Sequence, residues 1–132
     1  MKLLIDSDFF FGLFVGVDYH HRKCIALLKD CVNKNRRLVA SNLVVQETAT
    51  VISGKRSQSD AKLFLVELAK MPVQILFIGE EDENLIWEVF KKQTKKRTSF
   101  VDCANLTIAQ KYKFDGILSF DTFYPKNVRI TS

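Results

Sequence analysis

Short apolar runs alternate with longer amphipathic segments along the chain. Runs of the kind that form buried strands occupy residues 2–6, 37–40, 73–78, 116–120 and 128–131. Apolar residues at helical spacing predict one helix that opens at Ser7 or Asp8, and others over about 19–33, 42–53, 58–70, 80–96 and 99–112. Strands separated by helices form a mostly parallel sheet with helices on both faces. The pattern therefore predicts an α/β protein.

The chain length limits the number of domains. With 132 residues, the chain fits one domain over residues 1–132, and a domain of this size can fold without disulfides or a structural metal. Its most apolar run, residues 9–17, is about half of the ~20 residues that a membrane span requires. We therefore expect no membrane-spanning or targeting segment.

The three cysteines, Cys24, Cys31 and Cys103, form no CxxC pair. Cys24 and Cys31 lie seven residues apart on a helical pattern, so they are predicted to share a face and to pack in the core. Reduced core thiols are typical of a cytoplasmic protein. The two histidines, His20 and His21, are predicted to be an exposed pair, and this disfavours a zinc site.

Four carboxylates stand at one end of the predicted sheet. Asp6 ends the first strand, Asp121 follows the strand 116–120, Asp102 lies in the first turn of the helix that opens at Ser99, and Glu47 lies early in the helix after the second strand. Ligands of open parallel sheets bind beyond the carboxyl ends of the strands. The four acids are therefore candidates for a shared site.

Each acid also has a structural interpretation. Asp6 and Asp121 suit turns, and Asp102 forms a capping-box pattern with Ser99. Glu47 is harder to explain in this way, because its helical neighbours are mostly apolar and no Lys or Arg occurs between residues 40 and 54. A buried glutamate without a partner is costly. Glu47 therefore favours a functional interpretation.

A divalent cation would relieve the repulsion among these acids. Carboxylates gathered without bases raise one another's pKa and destabilise the fold. Oxygen ligands without His or Cys favour Mg²⁺ or Mn²⁺ over zinc. Such a cation can activate water and clamp the oxygens of a phosphodiester. The pattern therefore predicts metal-dependent phosphoryl chemistry.

The two aspartates that flank the predicted strand 116–120 are expected to have different roles. Asp115 precedes the strand 116–120 and Asp121 follows it, so their carboxylates are about 20 Å apart along the chain. One cation cannot bind both. We expect Asp115 to serve the turn 113–116, with Gly116 supplying an unusual backbone angle.

Positive charge is concentrated just before the Asp102 helix. The net charge is +5, which permits a polyanionic partner, and residues 91–97 carry five of the positive charges. Lys91 and Lys92 complement the dipole of the preceding helix. The remaining three, at or beyond the helix end, are predicted to contact the phosphates of such a partner; they are Lys95, Lys96 and Arg97.

Four segments together resemble the PIN-domain nucleases. They are the opening run 3–7, the segment 41–52 around Glu47, the segment 99–102 followed by Ala104 and Ala109, and the run 117–123 with an aromatic residue after Asp121. They occur in the family's order over nearly the whole chain, and the chain is most similar to VapC-type toxins. One departure is Asp8, where the family more often has Asn, Ser or Thr. This residue either caps the first helix, the interpretation we favour, or adds a metal or water ligand.

The resemblance implies an α/β/α sandwich with strand order 3-2-1-4-5. It also implies a Mg²⁺- or Mn²⁺-dependent endoribonuclease, with Asp6, Glu47, Asp102 and Asp121 as the metal and catalytic site. Toxins of this type are usually homodimers that a cognate antitoxin neutralises. Two alternatives stay open: a phosphatase of the haloacid-dehalogenase type with Asp6 as nucleophile, and a non-catalytic PIN fold that binds RNA or serves assembly.

Overall fold

A computed structural model describes residues 1–131 and contains one five-stranded sheet. Its order is β3-β2-β1-β4-β5, and every neighbouring pair is parallel. Both the parallel sheet and the strand order are therefore confirmed. The strands are β1 (Lys2–Ile5), β2 (Arg37–Ser41), β3 (Val73–Leu76), β4 (Gly116–Leu118) and β5 (Arg129–Ile130).

Six helices connect the strands. Serine side chains at positions 41, 57 and 99 accept hydrogen bonds from the first-turn amides of three of them, which explains where those helices begin. No helix within residues 1–131 is long and apolar enough to cross a membrane. The helices are α1 (Ser7–Phe14), α2 (His21–Asn33), α3 (Asn42–Lys55), α4 (Gln58–Ala69), α5 (Glu80–Lys91) and α6 (Phe100–Lys111).

Two helix ends differ from the sequence-based prediction. Helix α5 ends at Lys91 rather than at residue 96. Continuing it would stack lysines four residues apart, 91 over 95 and 92 over 96, and like charges at this spacing are destabilising. Helix α3 runs through Gly54 to Lys55, because a glycine in a helix costs only about 1 kcal/mol.

The core lies on both faces of the sheet. In β1, Leu3 and Ile5 pack with the buried side chains of α1 to α4, whereas Leu4 packs with Ile108 of α6 on the other face. Helices α5 and α6 share a further cluster that includes Cys103. All three cysteines are buried free thiols, which confirms the core position predicted for Cys24 and Cys31. The sheet is thus covered on both sides, and its edge at the carboxyl ends of the strands is left for a site.

The turn before β4 works differently from the prediction. The residue with a left-handed backbone is Lys113 (φ 55°), and Gly116 has no positive φ. Glycine is needed at 116 for space, since a Cβ there would lie 2.9 Å from Cγ1 of Ile130 and 3.2 Å from the carbonyl oxygen of Val128. Asp115 ties the turn to β1: its Oδ2 accepts from the Lys2 amide at 2.6 Å.

We expect Gly116→Ala to lower the free energy of unfolding by about 1–3 kcal/mol, because the added methyl group overpacks the contact between β4 and β5. Gly54→Ala is the matched control. Nothing lies within 4 Å of its Cβ position, so alanine should raise the free energy of unfolding by up to about 1 kcal/mol. Urea unfolding measures both, and equal stability of Gly116→Ala and wild type would contradict the packing described here.

Candidate metal centre

Three of the four predicted acids meet at the carboxyl edge of the sheet. Asp6 follows β1, Asp121 follows β4, and Asp102 lies in the first turn of α6. Each offers a carboxylate oxygen, and these oxygens lie within 4.8 Å of one another. Because β1 and β4 are parallel neighbours, with Ile5 in register with Leu118, the residues after them emerge side by side.

Asp6 is the buried member of this group, with 3% of its surface exposed. It accepts hydrogen bonds from the Ser7 amide (2.8 Å), the Ser119 hydroxyl (2.8 Å) and the side-chain amide of Asn105 (3.0 Å). Burial raises the pKa of Asp6 to about 7, and the neighbouring charge of Asp8 adds to the rise. The three hydrogen bonds orient the carboxylate without offsetting its desolvation.

Asp102 both takes part in the capping box of helix α6 and belongs to the carboxylate group, the two roles that the sequence allows. Its Oδ2 accepts from the Ser99 amide at 3.2 Å, and its own amide donates to the Ser99 hydroxyl at 3.0 Å, which completes the capping box. The same carboxylate belongs to the group of three. Burial raises its pKa, and the charges of Asp121 and Glu47 raise it further.

Asp121 is held by its own turn. Its Oδ1 accepts from the Phe123 amide at 2.9 Å, and its amide donates to the Ser119 hydroxyl at 3.0 Å. Ser119 also donates to Asp6, so one hydroxyl joins the two acids that follow β1 and β4. Strand β4 ends at Leu118 and not at residue 120, and the Phe120 amide donates to Oδ2 of Asp8 instead of to a neighbouring strand.

Glu47 stands next to the group rather than in it. Among the described residues, the set of oxygens within 4.8 Å consists of the three aspartates alone. Glu47 is half-buried in α3, and its Oε1 accepts from the Ser7 hydroxyl. Ser7 follows Asp6 directly, so this bond places Glu47 beside the centre, where its charge acts on Asp102.

The capping role that we favoured for Asp8 is wrong. The cap of α1 is Asp6, whose side chain accepts from the Ser7 amide. Oδ2 of Asp8 instead accepts from the Phe120 amide at 2.9 Å and lies 3.3 Å from the Ser119 hydroxyl. Within residues 1–131, its Oδ1 is buried without a hydrogen-bond partner. Asp8 therefore anchors the segment that carries Asp121, and burial raises its pKa to about 6.

The chemistry of the donor set fits a hard divalent cation. The donors are carboxylate oxygens, the ligands that Mg²⁺ and Mn²⁺ prefer. None of the ion pairs found within residues 1–131 involves any of these acids. Burial and mutual repulsion raise the pKa of both Asp6 and Asp102, and a bound cation would relieve both.

The basic segment after α5 borders the same centre. Residues 95–98 line a cleft of about 250 Å³ together with Asp102, Asp121 and Phe123. The three cations predicted to contact phosphate are exposed at its rim; they are Lys95, Lys96 and Arg97. The fold therefore brings positive charge and two of the carboxylates to one cleft.

The sequence pattern did not single out two buried residues whose polar groups lie at the centre, Asn105 and Tyr124. Asn105 lies three residues after Asp102, on the same face of α6, and is fully buried. Its side-chain amide donates to Asp6 and to the hydroxyl of Tyr124, each at 3.0 Å. A polar residue on an apolar helix face is the signal that singled out Glu47, and it could have identified Asn105 as well.

The prediction of an exposed histidine pair is wrong. His20 is partly buried and stacks flat on Phe120, with ring centroids 3.9 Å apart and planes 4° from parallel. His21 is also partly buried, with its Nδ1 2.8 Å from the carbonyl oxygen of Gly12. Aromatic packing against the segment that precedes Asp121 accounts for the burial of His20.

Comparison with known proteins places the chain in a family. Residues 3–127 match the PIN domain family. A VapC ribonuclease from Archaeoglobus fulgidus is 30% identical over 125 residues, which cover 92% of this chain and 78% of the relative.

Solved structures share the fold. VapC20 from Mycobacterium tuberculosis, described as a toxin that cleaves the sarcin–ricin loop, gives a TM-score of 0.77 at 19% identity and covers 90% of this chain and 89% of its own. VapBC2 from Rickettsia felis, bound to a DNA fragment from its promoter, gives 0.71 at 11% identity and 98% of both chains. From the family match and the identity to the archaeal relative, this chain belongs to the PIN domain family and resembles its VapC ribonucleases.

Proposed function

We propose that this chain is a divalent-metal-dependent endoribonuclease that cleaves RNA phosphodiester bonds with a metal-activated water. The observation that carries the proposal is the group of three carboxylates, which lie within 4.8 Å of one another and have no basic partner among the described residues. Two of them, Asp102 and Asp121, line a cleft rimmed by cations. The archaeal relative, named as a VapC ribonuclease, supports the same activity.

Each residue has a distinct task in this proposal. Asp6, Asp102 and Asp121 hold a Mg²⁺ or Mn²⁺ ion, and Glu47 serves the same site from the position that Ser7 fixes. When bound, the ion supplies an activated water and neutralises charge on the phosphate. The carboxylates are rigidly held by hydrogen bonds to backbone and side chains, so they need little reorganisation to bind it.

The basic segment orients the substrate. Phosphates carry the negative charge of RNA, and cations that contact them give binding that does not depend on sequence. Lys95, Lys96 and Arg97 line the cleft that also holds Asp102 and Asp121. An RNA strand bound there would place a phosphodiester next to the carboxylates.

We further propose a cellular setting. The names of the similar proteins support a toxin of the VapC type, with a cognate antitoxin as partner. The buried free thiols are in keeping with a reducing cytoplasm. We also propose that the chain forms a homodimer, and light scattering of the purified chain would determine its oligomeric state.

The two alternatives fit the site less well. A phosphatase of the haloacid-dehalogenase type needs an accessible nucleophile, whereas Asp6 is 3% exposed and accepts three hydrogen bonds. A non-catalytic module has no use for unpaired buried carboxylates, which destabilise the fold. Cleavage of RNA in Mn²⁺, without hydrolysis of a phosphomonoester, separates the proposed activity from both.

Neutralising any one acid should remove most of the cleavage of labelled RNA. We expect this for Asp6→Asn, Glu47→Gln, Asp102→Asn and Asp121→Asn, and combining two should cost little more than one, because groups that act as a unit are not additive. Asp115→Asn is the matched control: it lies at the opposite end of β4 and should keep both Mn²⁺ affinity and cleavage. Wild-type cleavage rates in Glu47→Gln would show that Glu47 does not belong to the site. Loss of Mn²⁺ binding in Asp115→Asn but not in Asp121→Asn would show that the site lies at the other end of β4.

Stability in EDTA should fall as pH rises from about 4 to about 7. Burial raises the pKa of Asp6 from 3.8 to about 7. The folded state therefore binds the proton more tightly than the unfolded state, so this stabilisation is complete below pH 4 and is lost as Asp6 ionises. Asp6→Asn should flatten the profile, and saturating Mn²⁺ should raise stability at pH 7. Urea unfolding across this range measures it; a profile in EDTA that rises with pH would contradict the electrostatics of the site.

Replacing Lys95, Lys96 and Arg97 with glutamine should weaken RNA binding at every sequence. Each lost phosphate contact lowers the slope of log affinity against log salt by roughly 0.7 for a single strand. Fluorescence anisotropy with the catalytically silent Asp121→Asn background measures the slope. The control replaces three exposed cations of α2 and α4, namely Lys23, Lys29 and Lys62. An equal change in the control would mean that net charge, and not position, governs binding.

A further inference from the structure

A buried polar network lies directly behind the carboxylate centre. Asn105 of α6 is fully buried, and its side-chain nitrogen donates to Oδ1 of Asp6 and to the Tyr124 hydroxyl, each at 3.0 Å. Tyr124 is 1% exposed and comes from the segment between β4 and β5. Three elements that are distant in sequence therefore meet at one amide group.

The network costs stability. Within the described residues, Oδ1 of Asn105 is buried and has no hydrogen-bond partner. A buried polar atom without a partner costs free energy. Burial of the phenol also raises the pKa of Tyr124, so its hydroxyl stays neutral. Packing alone therefore does not explain an asparagine at this position.

The geometry assigns Asn105 a role in holding the Asp6 carboxylate. Asn105 holds Oδ1 of the Asp6 carboxylate, and Ser119 holds Oδ2 at 2.8 Å, so the two contacts fix the plane of the carboxylate. Tyr124 accepts from the same nitrogen of Asn105, so turning the amide would break both contacts. One oxygen of this carboxylate lies within 4.8 Å of an oxygen of Asp102 and of an oxygen of Asp121.

We propose that Asn105 is a positioning residue, which orients Asp6 toward the cation and is itself held by Tyr124. The inference rests on the proposed metal-dependent function and deepens it. Partners that orient a metal ligand typically contribute 10- to 100-fold to metal affinity. Asn105 then acts through Asp6, without touching the cation or the substrate.

Asn105→Leu tests the proposal, because leucine has a similar volume and removes both the donor and the unpaired oxygen. We expect the Kd for Mn²⁺, measured by electron paramagnetic resonance on the full chain, to rise about 10- to 100-fold. The melting temperature in EDTA should change little, because the variant removes the unpaired oxygen of Asn105 but also leaves the Tyr124 hydroxyl without its partner. Cleavage should recover at high Mn²⁺ concentration. A purely structural residue would show the reverse pattern, with a lower melting temperature and an unchanged Kd.

Thr107→Val is the matched control on the same helix. The Thr107 hydroxyl donates to the Cys103 carbonyl oxygen within α6, so this variant should bind Mn²⁺ with the wild-type Kd. Tyr124→Phe is a second variant that removes only the hydroxyl. It should weaken Mn²⁺ binding, by a smaller factor than Asn105→Leu, because Asn105 keeps its bond to Asp6.

The outcomes are separable. A wild-type Kd in Asn105→Leu overturns the positioning role. Should that variant fail to fold, Tyr124→Phe decides: a weakened Kd supports the network, and a wild-type Kd overturns it. Failure of the wild-type chain itself to bind Mn²⁺ would overturn the proposed function, and this inference with it.

Discussion

The central strand β1 determines where everything else in this protein lies. It pairs in parallel with β2 on one side and with β4 on the other. Leu3, Leu4 and Ile5 are fully buried, which requires helices on both faces. Parallel neighbours end at the same edge, so the chain leaves β1 and β4 side by side, and the Asp6 amide donates to the Leu118 carbonyl oxygen at 3.1 Å. The carboxylate centre is a direct result of this strand pairing.

The centre combines two opposing effects. Hydrogen bonds from Ser7 and Ser119 lower the pKa of Asp6, whereas burial and the charge of Asp8 raise it, and the net result is a rise to about 7. The local structure therefore orients the acids well and stabilises their charge poorly. A site of this kind gains most from a ligand that brings positive charge, and the rest of the core has to compensate for the repulsion when no such ligand is bound.

The sheet and the acids at its edge could be predicted from the sequence. The hydrogen-bond partner of Glu47 and the packing around Gly116 could not, because they depend on contacts between distant residues. The alternation of strands and helices predicted the sheet. The ends of two strands and the starts of two helices predicted that Asp6, Asp121, Asp102 and Glu47 would lie at one end of it. Glu47 was found because an acid stood on an apolar helix face, but its partner Ser7, 40 residues away, was not. Gly116 was misread because its requirement is space beside β5, which only the packed strands reveal.

The contact between Ser119 and Asp6 joins positions that are 113 residues apart in a chain of 132. Pairings across such separations form late, since a long loop must close before they contribute. On a ribosome, β1 emerges before β4, so the two strands cannot pair until the segment between them and β4 itself have been made. The carboxylate centre is thus completed only after Asp121 has been made, and a product that stops before Gly116 lacks Asp121 and one of the two strands that flank β1. Under the proposed function, a polypeptide whose synthesis has not reached Gly116 would lack one acid of the metal centre while it is still attached to its own messenger RNA.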